Sequence, residues 1–125
     1  PIVALGLSPM SVLIFEVVLN ASSLFEHSNL NLPHRLDRFL RFFIVTPDMH
    51  RVHHSVLTHE TNSNYGFNLS CWDYFFKTYR AQPERGHRQV QIGLPQIQTY
   101  SDVGFLKLLT MPFRRLNVPA IVNYR

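Results

Sequence analysis

"SPMSVLIFEVVLNASSLFEHSN", residues 8–29, decides whether this chain is built for water or for lipid. Ser8 is a helix-capping residue, Pro9 suits the first helical position, and the apolar residues that follow recur with helical spacing. The sequence predicts a helix over the eighteen residues Pro9–Glu26. At 1.5 Å of rise per residue it would be about 27 Å long, close to the roughly 30 Å of a bilayer's hydrocarbon core. Its polar residues are not scattered: Glu16, Asn20, Ser23 and His27 follow one another at steps of four, three and four, and so share one stripe. An ionisable group is expensive against lipid, so the stripe is expected to face a protein interior or a wet cavity. A helix lying in the membrane surface with Glu16 at the interface is the competing arrangement.

The next segment, "PHRLDRFLRFFI" at 33–44, sets Arg35, Arg38 and Arg41 against Leu36, Phe39, Leu40 and Phe43. This pattern predicts an interfacial amphipathic helix with arginines at phosphate level and the apolar side in acyl chains. The whole chain is 125 residues with a formal charge of +4 and 46% hydrophobic residues, enough for one domain or part of one. The basic excess is arginine set among aromatics, which favours anionic head groups over nucleic acid. Cys71 is alone, so neither an intrachain disulfide nor a CxxC site can form, and a metal would be held by nitrogen and oxygen. The chain opens on Pro1 without a signal-peptide pattern and reads as a piece of a longer protein.

Those nitrogens are concentrated in "TPDMHRVHHS", residues 46–55. Thr46, Pro47 and Asp48 form a helix start: a cap, a proline and an acid near the positive end of the dipole. His50, His53 and His54 then stand at i, i+3 and i+4, on one face of that helix. Three imidazoles together would repel if protonated, whereas neutral imidazole is a common metal ligand, so a shared cation is the economical reading. Imidazole suits zinc, iron, copper and nickel alike. No HExxH pattern points to a zinc protease.

In order, "FEHSNLNLP", "VTPDMHRVHHS" and "ETNSNYGFNLSCWDYFFKTY" resemble the C-terminal half of the fatty acid hydroxylase superfamily, which includes the sterol desaturases, across roughly residues 5–115. The resemblance implies an all-α, membrane-embedded helical bundle with interfacial amphipathic helices and a histidine-bearing cytosolic cap, of which residues 1–125 would be the C-terminal part of one catalytic domain. It implies a non-haem di-iron centre that uses O2 and two electrons to hydroxylate or desaturate a lipid C–H position. His50, His53 and His54 match the family's last histidine box and His27 the histidine before its "xNxxLP"; all four would be iron ligands. Glu16 and Asn20 are candidates to orient ligands or line a substrate path. Asn64, Tyr65 and Gly66 match an NYG turn, and Trp72, Asp73, Phe76, Thr78 and Tyr79 the segment after it, both read as scaffolding. Where the family commonly has glycine this chain has Lys77.

The family's earlier boxes, HxxxH and a first HxxHH, do not occur in these residues and are expected upstream, so the segment should be inactive in isolation. The implied partners are a lipid, the membrane and an electron donor, either a b-type cytochrome or a ferredoxin system, with no nucleic acid. The implied location is a bacterial inner membrane or the endoplasmic reticulum, with the histidines on the cytosolic side. Two other classes stay open on the residues alone: a membrane hydrolase with histidine-held zinc, and a membrane-interaction module without catalysis.

The remaining histidines have plainer expectations. His34 begins the arginine helix and suits head-group contact, His59 falls in a polar loop, and His87 lies in a charged, proline- and glycine-punctuated stretch that should be exposed. Residues 80–102 read as a loop or short strands covering the catalytic face. Residues 103–116 read as another interfacial stretch with Lys107, Arg114 and Arg115, ended or kinked by Pro112.

Overall fold

The computed structural model of the chain describes residues 5–94 and 104–113. Its first helix, α1, spans Pro9–Glu26, with Ser8 in extended conformation and its hydroxyl accepting the Ser11 N–H at 3.2 Å. Mean hydropathy is 1.3, which makes α1 long and apolar enough to cross a membrane. Leu13, Ile14, Phe15, Val17 and Val18 are all exposed along it. Only Glu26 is buried.

Helix α2 covers His34–Leu40, shorter than the 33–44 periodicity predicts. The chain turns after Leu40 because Arg41 is drawn inward: its Nε lies 2.7 Å from the Asp37 carboxylate and its Nη1 donates to the Ala81 carbonyl at 2.7 Å. Arg41 is 4% exposed and is therefore an internal cation, unlike the interfacial residue the pattern suggested. The same Asp37 accepts from the Thr46 hydroxyl at 2.7 Å, tying α2 to the start of the next helix. That helix, α3, spans Pro47–His53 with Thr46 as its cap, as the Thr-Pro-Asp sequence requires.

Three short helices follow: α4 (Thr58–Thr61), α5 (Cys71–Phe76) and α6 (Phe105–Thr110), the last continuing into a 3₁₀ turn at Met111–Phe113 that contains Pro112. His59 lies on α4, where a loop was expected. The described residues contain no strand, only isolated bridges between Ile44 and Leu69 and between Ser55 and Ile92. The stretches 95–103 and 114–116 of the expected loop and of the last amphipathic segment lie outside the described residues.

Polarity is distributed inside out. Among the described residues the buried apolar side chains are Val45, Met49, Val52 and the prolines Pro47 and Pro83, whereas Glu26, Asp37, Arg41, Thr46, His50, Glu60, Asn64 and Asp73 are all buried. The large apolar residues Phe39, Phe42, Phe43, Trp72, Phe75 and Phe76 are exposed. In water such a patch would be a liability; against acyl chains it is the favoured face.

Two polar nodes hold this interior. Asn64, in left-handed conformation at φ 49, donates from Nδ2 to the carbonyls of Met49 and Arg80, both at 2.9 Å, and accepts the Arg80 N–H at 2.8 Å. Asp73 accepts from the backbone N–H groups of Tyr65 and Gly66 at 2.7 and 2.9 Å and from the Thr78 hydroxyl at 2.6 Å. Gly66 is needed for space: a Cβ there would come within 2.7 Å of Asp73 Oδ2 and of the Leu69 carbonyl. Lys77 occupies φ 59 just past α5, so the chain keeps a glycine-like turn without glycine. Through Asn64 the loop is bolted to the carbonyl of Met49, next to His50.

Candidate metal centre

The end of α1 and the body of α3 pack against each other, and histidines from both meet at the contact. His27 caps α1; the Ser23 carbonyl accepts its backbone N–H at 3.1 Å and lies 2.8 Å from its ring Nδ1. That contact assigns the proton to Nδ1 and leaves a lone pair on Nε2. His50, on α3, is 7% exposed, and His54 caps the same helix.

The three Nε2 atoms converge. His50 to His54 is 2.9 Å, His27 to His50 is 3.2 Å and His27 to His54 is 3.3 Å. Nitrogens bound to one cation at about 2.0–2.1 Å would stand about 2.9–3.4 Å apart. Hydrogen bonds cannot account for the whole triangle, because a ring whose proton is committed at Nδ1 has none to offer at Nε2. Burial pushes the His50 imidazole down to about 3, with His54, His27 and His53 adding to the effect. His54 is lowered as well, by burial first and then by His53 and His27. Both are neutral at physiological pH, the state in which imidazole binds a metal. The donor set and its spacing therefore fit a cation.

His53 is not a corner of that triangle. Its Nδ1 sits 3.0 Å from the Ser63 carbonyl, and its ring stacks on His50 with centroids 5.6 Å apart. Held in this way, it keeps an Nε2 lone pair beside the trio. Glu16 and Asn20 lie higher on α1 and engage each other: Asn20 Nδ2 donates to the Glu16 carbonyl at 2.7 Å and approaches its carboxylate at 3.4 Å.

Residue-level reasoning passed over Glu26. Its carboxylate is 3% exposed, makes no hydrogen bond, and lies 3.9 Å from His27 Nδ1 and 3.8 Å from His50 Nδ1. A carboxylate that accepts the outer N–H of a ligand imidazole fixes its tautomer and raises its basicity, and Glu26 stands just beyond that reach of His50 Nδ1. An acid directly before His27 at the end of an apolar helix was the available signal; the approach of His50, 23 residues later, was not.

Beside the trio is a cavity of about 470 Å³ whose wall includes Glu26, Pro47, Ile92 and Gly93. The chain near residue 92 is held along its edge by the Gly93 N–H to the His54 carbonyl at 3.0 Å and the Val56 N–H to the Gln91 carbonyl at 2.9 Å. His87 departs from expectation: it is half-buried 3.9 Å from Asp48, and burial lowers its pKa while Asp48 opposes the shift. His34 contacts Arg38 at 3.0 Å, and His59 pairs with Glu84 at 2.8 Å.

The sequence model described as fatty acid hydroxylase matches residues 1–78, a span that holds α1 through α5 and every histidine of the cluster. An ornithine lipid hydroxylase of Rhizobium tropici, OlsE, is 35% identical over 78 residues, covering 62% of this chain and 22% of that protein. The chain thus spans about a fifth of the length of the curated relative it matches. No solved structure matches.

Proposed function

The chain belongs to the fatty acid hydroxylase family, and from that premise we propose that it is the C-terminal part of a membrane-embedded lipid hydroxylase. In this reading His27, His50 and His54 share one iron of a non-haem di-iron centre, His53 contributes to the same centre, and the remaining ligands come from outside these residues. When bound, the irons supply the activation of O2 needed to oxidise an unactivated lipid C–H bond.

The chain's own part is positional. The Ser23 carbonyl holds the Nδ1 proton of His27, Glu26 stands behind His27 and His50, and the Ser63 carbonyl orients His53. His27 and His53 are thereby held with their Nε2 lone pairs available. The cavity of about 470 Å³ is of a size that admits a stretch of lipid, with Ile92 and Gly93 along its wall. The apolar surface of α1 and the exposed phenylalanines of α2 and α5 suit contact with acyl chains and with the rest of the bundle. The cluster lies at the C-terminal end of α1, in line with a metal centre at the cytosolic membrane boundary.

The relative's name makes an amino-acid-containing acyl lipid the first substrate to try, and hydroxylation rather than desaturation the first reaction. Electrons would come from a b-type cytochrome or a ferredoxin system. The single observation that carries this reading is the triangle of Nε2 atoms with edges of 2.9, 3.2 and 3.3 Å. The test is to express the full-length protein and incubate it with ornithine lipid, reductant and isotopically labelled O2. Labelled oxygen in the lipid, abolished by His50→Ala, is expected. Oxygen taken only from water, with zinc sustaining turnover, would replace the oxygenase by a hydrolase.

A further inference from the structure

A second group of metal-ligating side chains lies on other elements: His59 and Glu60 on α4, and Glu84 in the loop that follows α5. One ligand atom from each lies within 4.8 Å of the other two. His59 Nε2 and Glu84 Oε1 are 2.8 Å apart, and both side chains are half exposed. By itself that contact is a surface ion pair of small value.

Glu60 changes the reading. It is 1% exposed, and its Oε1 accepts the Glu84 N–H at 2.6 Å. Its Oε2 is buried and has no hydrogen-bond partner. Burying a carboxylate oxygen unpaired is costly, and a second carboxylate nearby adds repulsion. A divalent cation would supply the missing partner, neutralise both acids and give the imidazole a role.

We propose that His59, Glu60 and Glu84 form a second, structural site for a divalent first-row transition cation, distinct from the histidine triangle. One imidazole with two carboxylates is a donor set that zinc and manganese accept and that calcium and magnesium, which prefer all-oxygen surroundings, do not. Glu60 is the fixed ligand because Oε1 is pinned to the Glu84 backbone. The exposed side chains of His59 and Glu84 are free to swing the short distance needed to bring their donors to about 2.0–2.2 Å from an ion. Bound there, the ion would staple α4 to a chain segment 24 residues later, beside the loop that continues to Ile92 at the cavity wall. This inference stands whether or not the triangle carries iron.

The test uses the intact protein in detergent micelles, stripped of metal and titrated with Zn²⁺ alone. The wild type should bind one equivalent more than His59→Gln or Glu84→Gln, or bind that equivalent at least tenfold more tightly. Zinc should also slow amide exchange of the Glu84 N–H in the wild type and not in either variant. Both substitutions fall on half-exposed side chains, so folding can be checked independently; Glu60→Gln serves as a third variant if it folds. Equal stoichiometry and affinity in wild type and variants, or zinc binding abolished by His54→Ala alone, would overturn the proposal.

Discussion

The Nε2 atom of His27, at the end of α1, lies 3.2 Å from the Nε2 atom of His50, 23 positions later on α3. Two ring nitrogens brought to that distance by separate helices are a juxtaposition made by tertiary structure. Neither helix alone contains it. The rigidity of the pair depends on what stands behind it, and the first prediction concerns that support.

Glu26→Gln replaces the buried carboxyl behind the two imidazoles while keeping the shape. Metal affinity should fall about 10- to 100-fold, measured by competition with a chelator, with the fold unchanged by circular dichroism. An unaltered affinity would mean that the carboxylate 3.8 Å from His50 Nδ1 does not tune the ligand.

Gly66→Ala tests the node at Asp73. The new Cβ would stand 2.7 Å from Asp73 Oδ2 and from the Leu69 carbonyl, so one of the Asp73 hydrogen bonds must lengthen. Overpacking of this kind costs about 1–3 kcal/mol. Denaturant unfolding should show that loss, and a variant as stable as the wild type would contradict the close packing.

Lys77→Gly should stabilise the chain by up to about 1 kcal/mol, because a lysine at φ 59 carries the steric strain of the left-handed region and glycine does not. The midpoint of thermal unfolding is the readout. A drop would place the contribution of Lys77 in its side chain rather than its backbone.

His87 makes stability depend on pH. Burial sets its folded pKa below the ordinary value of about 6.5. As pH falls through that value the unfolded chain takes up the proton first, so stability declines on acidification and recovers as pH rises. His87→Gln should lose less stability than the wild type between about pH 7 and pH 5. Identical pH profiles would mean that His87 is solvated like an unfolded histidine.

Parts of this arrangement were legible in the residues. Ser8-Pro9 and Thr46-Pro47-Asp48 mark helix starts through local chemistry, and both starts are where the structure has them. The i, i+3, i+4 spacing announced a histidine face, and the resemblance added His27. Arg41 was misplaced because periodicity groups it with Arg35 and Arg38, whereas its position is decided by Asp37 and by the carbonyl of Ala81, 40 residues away. His87 was misplaced for the same reason, since composition near Gly86 suggests solvent and only the fold brings Asp48 to it. The division of labour within the box, with His50 and His54 in the triangle and His53 turned to Ser63, depends on helix rotation and a distant carbonyl.

The central claim is that His27, His50 and His54 bind one metal ion together. Iron K-edge X-ray absorption of the iron-loaded full-length protein tests it most directly. Imidazole scattering from nitrogens at about 2.0–2.2 Å should weaken in His27→Ala and again in His50→Ala, with loss of bound iron. Spectra and iron content unchanged by both substitutions would contradict the account.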